Sequence, residues 1–436
     1  MALAPDSGSA KSSRELANAR KWVYVAKNAD GIALWGECQG SGKLPYQTQI
    51  DLSDHNPSFK CSCPSRKFPC KHGLGLLLLF AQNSNAFFVK DVPVWVSEWL
   101  EKRSKRAEIK AEKAEPKEID KAAQEKRQKS REKRVSAGLE DLSLWIRDLI
   151  RTGLATSQGR PYDFWETAAK RLIDAQASGL ARRVRELPQY LSGENWTEKL
   201  LEQLALIHLL IEGYKRIDRL PPETQADIRA AIGFTQSQDE LNNLPGIQDT
   251  WRVYGQVITE EDRLRSRRSY LLGQNTGHTA MLLEFAHAQQ PFTHALSGFE
   301  AYEGEVVYYP SQYPQRVMLK DGKIRGDTEE KPVQVGTVAD ILEIYSEALS
   351  KNPWTDRIAG QIQASPEPYG KQWTLRDQAD RQLKVHPGFA YWYAILEESG
   401  GQALHFFGEW DGQTFLPLLC THPKTQQTLY LQHGVV

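Results

Sequence analysis

No apolar stretch in this 436-residue sequence is longer than the eight residues 74–81. A membrane-spanning helix needs about 20. The first 13 residues have no apolar core behind their charges, so no secretory leader is expected. Cysteine is scarce: five residues, an odd number, which with no leader argues for a reducing compartment rather than a disulfide framework. These absences lead us to expect a soluble cytoplasmic protein. Linear enzyme signatures are missing too: no phosphate loop, no His-Glu-x-x-His, no Gly-x-Ser-x-Gly and no dinucleotide glycine fingerprint. The nearest imitation, Gly40, Ser41, Gly42 and Lys43, fails as a phosphate loop. Gly36 and Gly42 enclose five residues instead of four, and Leu44 follows the lysine. We expect no enzyme, although a carboxylate-based site in the C-terminal half would leave no linear signature.

With 40% apolar residues, 12 Trp and 16 Tyr, the chain has ample material for folded cores, and its length suggests two or three domains. The net charge is zero but unevenly distributed. Residues 1–134 hold 25 Lys and Arg against 16 Asp and Glu, and the remainder holds 30 against 39. That pattern describes a basic arm on an acidic body.

Three of the five cysteines fall within twelve positions: Cys61 and Cys63, then, after six residues, Cys70, with His72 beyond it. Three thiols and an imidazole so close together select zinc, whose tetrahedral shell of sulfur and nitrogen they fill without leaving room for water. One structural zinc per chain is therefore expected, with Cys38 and Cys420 outside the site. Lys60, Arg66, Lys67 and Lys71 surround the ligands. They offset the thiolate charge, and any surplus is available to phosphate. The spacing Cys-x-Cys, six residues, Cys-x-His, together with Pro64, Phe68, Pro69 and the apolar helix that follows directly, resembles the bacterial form of the SWIM zinc finger over about residues 45–82. The resemblance implies a small zinc-held hairpin and helix that binds DNA or other proteins and carries no catalysis.

The chain before the cysteines reads as a short helix at 13–19 and strands at 21–26, 31–38 and 45–52. Residues 72–82 form a helix apolar on nearly every face, expected to pack on the sheet and on Phe87, Phe88, Trp95 and Trp99. From 101 to 134 the composition turns to Lys, Arg, Glu, Ala and Gln, with 14 basic and 8 acidic residues. It has no apolar heptad seam, and Pro116 interrupts any continuous helix. This is a solvated spacer or an arm for nucleic acid.

Helical spacing then recurs at 139–153, 164–187, 196–214 and 221–233. His208 is read there as a core or boundary residue, and His278, His287 and His294 are too irregularly spaced for a site. Residues 250–258 turn β-like, followed by the basic Arg265, Arg267 and Arg268, with Glu260, Glu261 and Asp262 as expected partners. Beyond 278 hairpins are punctuated by Asp321-Gly322 and Asp411-Gly412. Residues 390–396 are read among the strands, 337–349 is the one clear helix, and no superfold is recognised.

The expected architecture is multidomain α+β. It comprises a zinc-stabilised β/α module (1–100), a charged linker (101–137), a mainly helical domain (138–275) and a β-rich α+β domain (276–436). The expected function is a non-enzymatic interaction protein whose zinc module contacts nucleic acid, DNA first. The alternative is a protein–protein adaptor using the zinc module and the helical region.

Overall fold

The computed structural model describes residues 7–39, 44–53, 57–65, 67–112, 121–261, 264–288, 290–327, 335–370, 372–425 and 427–432. Helices and sheets are mixed, with helices dominating the middle of the chain and sheets the C-terminal half. Two compact units form: residues 1–119 with 261–265 and 285–295, and residues 120–260 with 266–284 and 296–436. Among the described residues no helix is long and apolar enough to cross a membrane.

In the first unit, α1 (Ser7–Leu16) begins six residues earlier than the sequence suggests. Strands β1 (Trp22–Lys27), β2 (Ala33–Cys38), β3 (Tyr46–Asp51) and β4 (Ser58–Cys61) form an antiparallel meander, and β5 (Phe88–Val89) adds in parallel beside β1. The module is thus larger than a hairpin and a helix, because both sheet faces are covered. On one face α2 (Lys71–Gln82) buries Leu76 and Leu79 against Trp22, Leu34, Ile50 and Phe59. Gly75 lets α1 approach: a Cβ there would lie 2.6 Å from the Leu16 Cβ. On the other face Val96, on α3 (Val94–Glu112), packs with Ala26, Ala33 and Trp35. Phe87 meets Phe80 of α2 edge to face at 5.1 Å, but Phe88, expected in the same core, is 63% exposed. Pro116 lies outside the described residues, between α3 and the next helix.

The second unit opens with α4 (Lys121–Thr152), followed by α5 (Tyr162–Asp174), α6 (Ser178–Glu186), α7 (Trp196–Lys215), α8 (Pro222–Ile232) and α9 (Gln238–Asn242). Leu139, Leu142, Ile146 and Leu149 of α4 face Leu200, Leu204, Ile207 and Ile211 of α7 in one core. Both sets recur at the three-to-four-residue spacing of a buried helical stripe. His208 sits off that stripe and is exposed, correcting the core or boundary placement. Gly233, at φ +116°, ends α8 in a left-handed cap that side chains resist.

From Ile247 the chain is extended, as the composition of 250–258 indicates. Strands β6 (Ile247–Glu261), β7 (Leu264–Gly273), β8 (Thr279–His287), β9 (Glu300–Tyr308) and β10 (Arg316–Asp327) close a barrel in the order β10-β8-β7-β6-β9. The β8–β10 contact is parallel and the pairings of β9 with β6 and β10 are antiparallel. A five-stranded barrel closed in this order is of the OB type, a superfold the sequence did not reveal. After α10 (Val338–Lys351), capped by Thr337 and Asp340, β11 (Ile358–Tyr369), β12 (Gln372–Arg376) and β13 (Gln382–Lys384) lead to α11 (Trp392–Ser399). Residues 390–396, read as a strand, are thus largely helical: Trp392, Ile395 and Ser399 form one buried face, and Gly400 caps the helix at φ +59°. Strands β14 (Leu404–Trp410), β15 (Phe415–Thr421) and β16 (Thr428–Leu431) complete a sheet ordered β13-β12-β11-β14-β15-β16.

This sheet covers the outer face of the barrel. Tyr254, Tyr270 and Leu272 are buried in one core with Phe407, Leu416 and Leu418, and Met281 packs against it. Within that contact Glu409 accepts hydrogen bonds from Arg268 Nε (2.8 Å), the Tyr270 hydroxyl (2.7 Å) and Arg357 Nη1 (2.9 Å). Among the described residues Arg267 and Arg268 accordingly pair with carboxylates distant in sequence rather than with Glu260 or Glu261, and Asp262 lies outside those residues. Arg267 pairs with buried Glu284 at 2.6 Å, and Arg265 donates to the Gln290 carbonyl and lies over the Phe292 ring.

Burial alone would raise the pKa of the Glu409 carboxyl, but Arg268 and Arg357, with the Tyr270 hydroxyl, outweigh it and hold the group below its ordinary value. A folded-state pKa depressed in this way contributes stability above the unfolded value of about 4.3, and the contribution is lost as the pH falls through the folded value. Glu409→Gln is therefore expected to lower stability at pH 7 by about 3–5 kcal/mol and to flatten the loss of stability on acidification below about pH 4. Urea denaturation at a series of pH values checks both. An acid limb unchanged in the variant contradicts the assignment.

Candidate metal centre

Strand β4 delivers Cys61 at its end. The next residue is fixed by two bonds to Gln47: the Ser62 amide donates to the Gln47 carbonyl at 2.9 Å, and the Gln47 amide donates to the Ser62 hydroxyl at 2.9 Å. Pro64 and Pro69 bracket the return of the chain, and Cys70 stands at the N-cap of α2 in extended geometry. The first helical turn then places His72 two residues on, and its side chain is buried. One strand end and one helix start thus supply two ligands each.

The donor atoms of Cys61, Cys63, Cys70 and His72 all lie within 4.8 Å of one another. The Cys61 Sγ is 3.8 Å from His72 Nδ1. Zinc–sulfur bonds of about 2.3 Å and zinc–nitrogen bonds of about 2.0 Å make tetrahedral edges of about 3.5–3.8 Å. The cluster is close enough to bind one zinc ion, and its soft donor set suits that ion. Four protein ligands complete the shell, so the ion's role is structural. What it supplies is a cross-link between β4 and α2.

The same proximity couples the protons of the three thiols. Cys61 is pushed up by its hydrogen bond to Cys70 and by burial, and Cys70 is pulled down mainly by that same bond. Burial also raises Cys63. A bound cation displaces the shared protons, so acid weakens binding. Two residues missed at the sequence level support the ligands. Thr48, opposite Cys61 in the β3–β4 register, has its hydroxyl 3.2 Å from the Cys61 sulfur, and the Tyr46 ring lies 5.1 Å from that of His72. The alternation of Tyr46, Thr48 and Ile50 along β3 was legible, but which strand they would face was not.

Lys60, Lys67 and Lys71 are exposed around this centre, and Arg66 lies outside the described residues. Among the described residues, Lys60 and Lys71 have no carboxylate partner. Asp51, the carboxylate at the end of β3, is committed to Arg103 of α3 at 2.9 Å and to Ser53. Cys38 and Cys420 are buried outside the cluster, the Cys38 thiol pointing to the Lys21 carbonyl.

Residues 46–80 match the family model of the SWIM zinc finger, and residues 130–232 match that of the SWIM-associated four-helix bundle domain. The first match encloses all four ligands, and the second spans most of α4 and continues through α8. Both kinds of domain are typically non-catalytic interaction modules. No curated protein matches the chain. One solved structure, described as the structure and conformational change of a Replication Protein A heterotrimer bound to ssDNA, is similar at 11% identity and a TM-score of 0.24. The likeness covers 41% of this chain, which spans about half (51%) of that one.

Purified protein is expected to contain one equivalent of zinc, lost when Cys63→Ser and Cys70→Ser are combined and retained when Cys38→Ser and Cys420→Ser are combined. Such an ion contributes about 10–16 kcal/mol of apparent binding free energy in small zinc modules, so chelation should also unfold the first unit. Elemental analysis and circular dichroism before and after chelator check both. Full zinc in the first double variant contradicts the ligand assignment.

Proposed function

We propose that this SWIM-type zinc finger protein is a non-enzymatic interaction protein whose zinc module contacts nucleic acid through the basic surface around the metal. The observation that carries the reading is the exposure of Lys60, Lys67 and Lys71 beside the centre. Three thiolates, an imidazole and a divalent ion leave one net negative charge, which the three exposed lysines more than offset. The excess positive charge faces solvent, where phosphate oxygens are the complementary group. Arg66 belongs to the same set by sequence.

An adaptor that binds protein is the second reading, and one feature favours it. At the end of the module's sheet β5 pairs only with Ala26 and Lys27. Val23, Phe88 and Val89 are exposed there, each by more than half. Exposed apolar side chains grouped at one sheet edge suit a protein partner. Native complexes recovered with and without nuclease treatment separate the two readings.

Replacing Lys60, Arg66, Lys67 and Lys71 together by Gln is expected to weaken DNA binding and to flatten its salt dependence by about 0.9 in log–log slope for each phosphate no longer engaged, with zinc content unchanged. Fluorescence anisotropy over a salt series measures it. Wild-type protein with no salt-sensitive binding to DNA or RNA near physiological ionic strength contradicts the proposal and leaves the adaptor reading.

A further inference from the structure

Helix α4 is longer than the core it serves. Its buried stripe starts at Val135 and continues through Leu139, Leu142, Ile146 and Leu149, whereas the helix itself starts at Lys121. The side chains of 126–134 are Lys, Arg, Gln, Lys, Ser, Arg, Glu, Lys and Arg in order. None is apolar.

Two of them fasten this stretch to the bundle. The Arg131 guanidinium lies 4.3 Å from the centre of the Phe234 ring and donates to the Gly233 carbonyl at 3.0 Å, and Glu132 accepts from Arg229 at 3.2 Å. The other five cations, Lys126, Arg127, Lys129, Lys133 and Arg134, are exposed. Among the described residues none of the five has a carboxylate partner, and Arg134 donates only to Ser130 of its own helix.

At 3.6 residues per turn the five fall within an arc of about 160°, centred opposite Val135 and Leu139. With a rise of about 1.5 Å per residue they occupy about 12 Å of helix length. The result is a rigid, one-sided block of positive charge, held in place by the Arg131 and Glu132 contacts.

We propose that this face of α4 is a second nucleic-acid surface, one that grips the phosphate backbone of a duplex without reading its sequence. Duplex DNA presents one negative charge per about 1.7 Å of axis, a density that five cations in about 12 Å complement. A protein partner needs apolar anchors at the centre of its contact, and a helix lying on an anionic bilayer needs an apolar face to insert. Residues 126–134 offer neither. They also have no aromatic ring on which an unpaired base could stack, which favours duplex over single strand. This surface uses none of the lysines of the metal centre, so it is tested independently of them.

The test uses the full-length, zinc-loaded chain with Lys126, Arg127, Lys129, Lys133 and Arg134 all replaced by Gln. Binding to a labelled random-sequence duplex and to an oligothymidine strand of equal length is followed across a salt series. Duplex affinity is expected to fall on the order of tenfold or more, with a slope flatter by about 0.9 per phosphate released, and the thermal midpoint should stay unchanged because the five side chains are exposed. The charge-conserving exchange of each Lys for Arg and each Arg for Lys should bind as wild type does. Unchanged duplex affinity and slope would overturn the proposal, as would loss of binding in the charge-conserving variant. A loss confined to the oligothymidine strand would overturn the duplex assignment. The Lys60, Arg66, Lys67 and Lys71 variant, measured in parallel, reports on the metal-centre surface alone.

Discussion

A single tetrahedral cross-link holds the end of β4 to the start of α2. The chain between Cys63 and Cys70 is also held by the edge-to-face contact of Phe68 with Phe59 and by the Lys67 amide, which donates to the Ser65 hydroxyl. With the cross-link, α2 is pinned where Leu76 and Leu79 reach Leu34 and Ile50, α1 rests on Gly75, and the sheet gains its covered face. Ligand geometry and apolar burial therefore support each other in this unit. The Thr48 hydroxyl beside the Cys61 sulfur shows that β3 takes part in the same arrangement.

The second unit is held together differently. Its barrel and its six-stranded sheet share one apolar core, and the polar centre of their contact is Glu409 among Arg268, Tyr270 and Arg357. That contact occupies the face of β7 and β8 on which OB-type barrels commonly take ligands. The surface proposed for a partner in this unit is instead the exposed cations of α4. Fold type alone would have pointed to the barrel; the burial of Tyr270 and Leu272 points away from it.

The metal site was legible in the sequence because its four ligands are local and chemically distinctive. The bundle helices were legible because Leu200, Leu204, Ile207 and Ile211 repeat at helical spacing. Barrel closure was not, since it depends on pairings such as β6 with β9 and β8 with β10, which join segments far apart in the chain. The aromatic run at 390–396 favoured a strand by composition, and the tertiary demand that Trp392 and Ile395 face one core made much of it a helix. The ion pairs of Arg267 and Arg268 were hidden for the same reason as the barrel: their partners, Glu284 and Glu409, arrive from other strands.

The central claim is that three sulfurs and one nitrogen of this chain close a zinc shell. X-ray absorption at the zinc edge on the purified protein tests it most directly. The account predicts three sulfur neighbours at about 2.3 Å and one nitrogen at about 2.0 Å, with no oxygen shell. A shell containing oxygen, or fewer than three sulfurs, would contradict it.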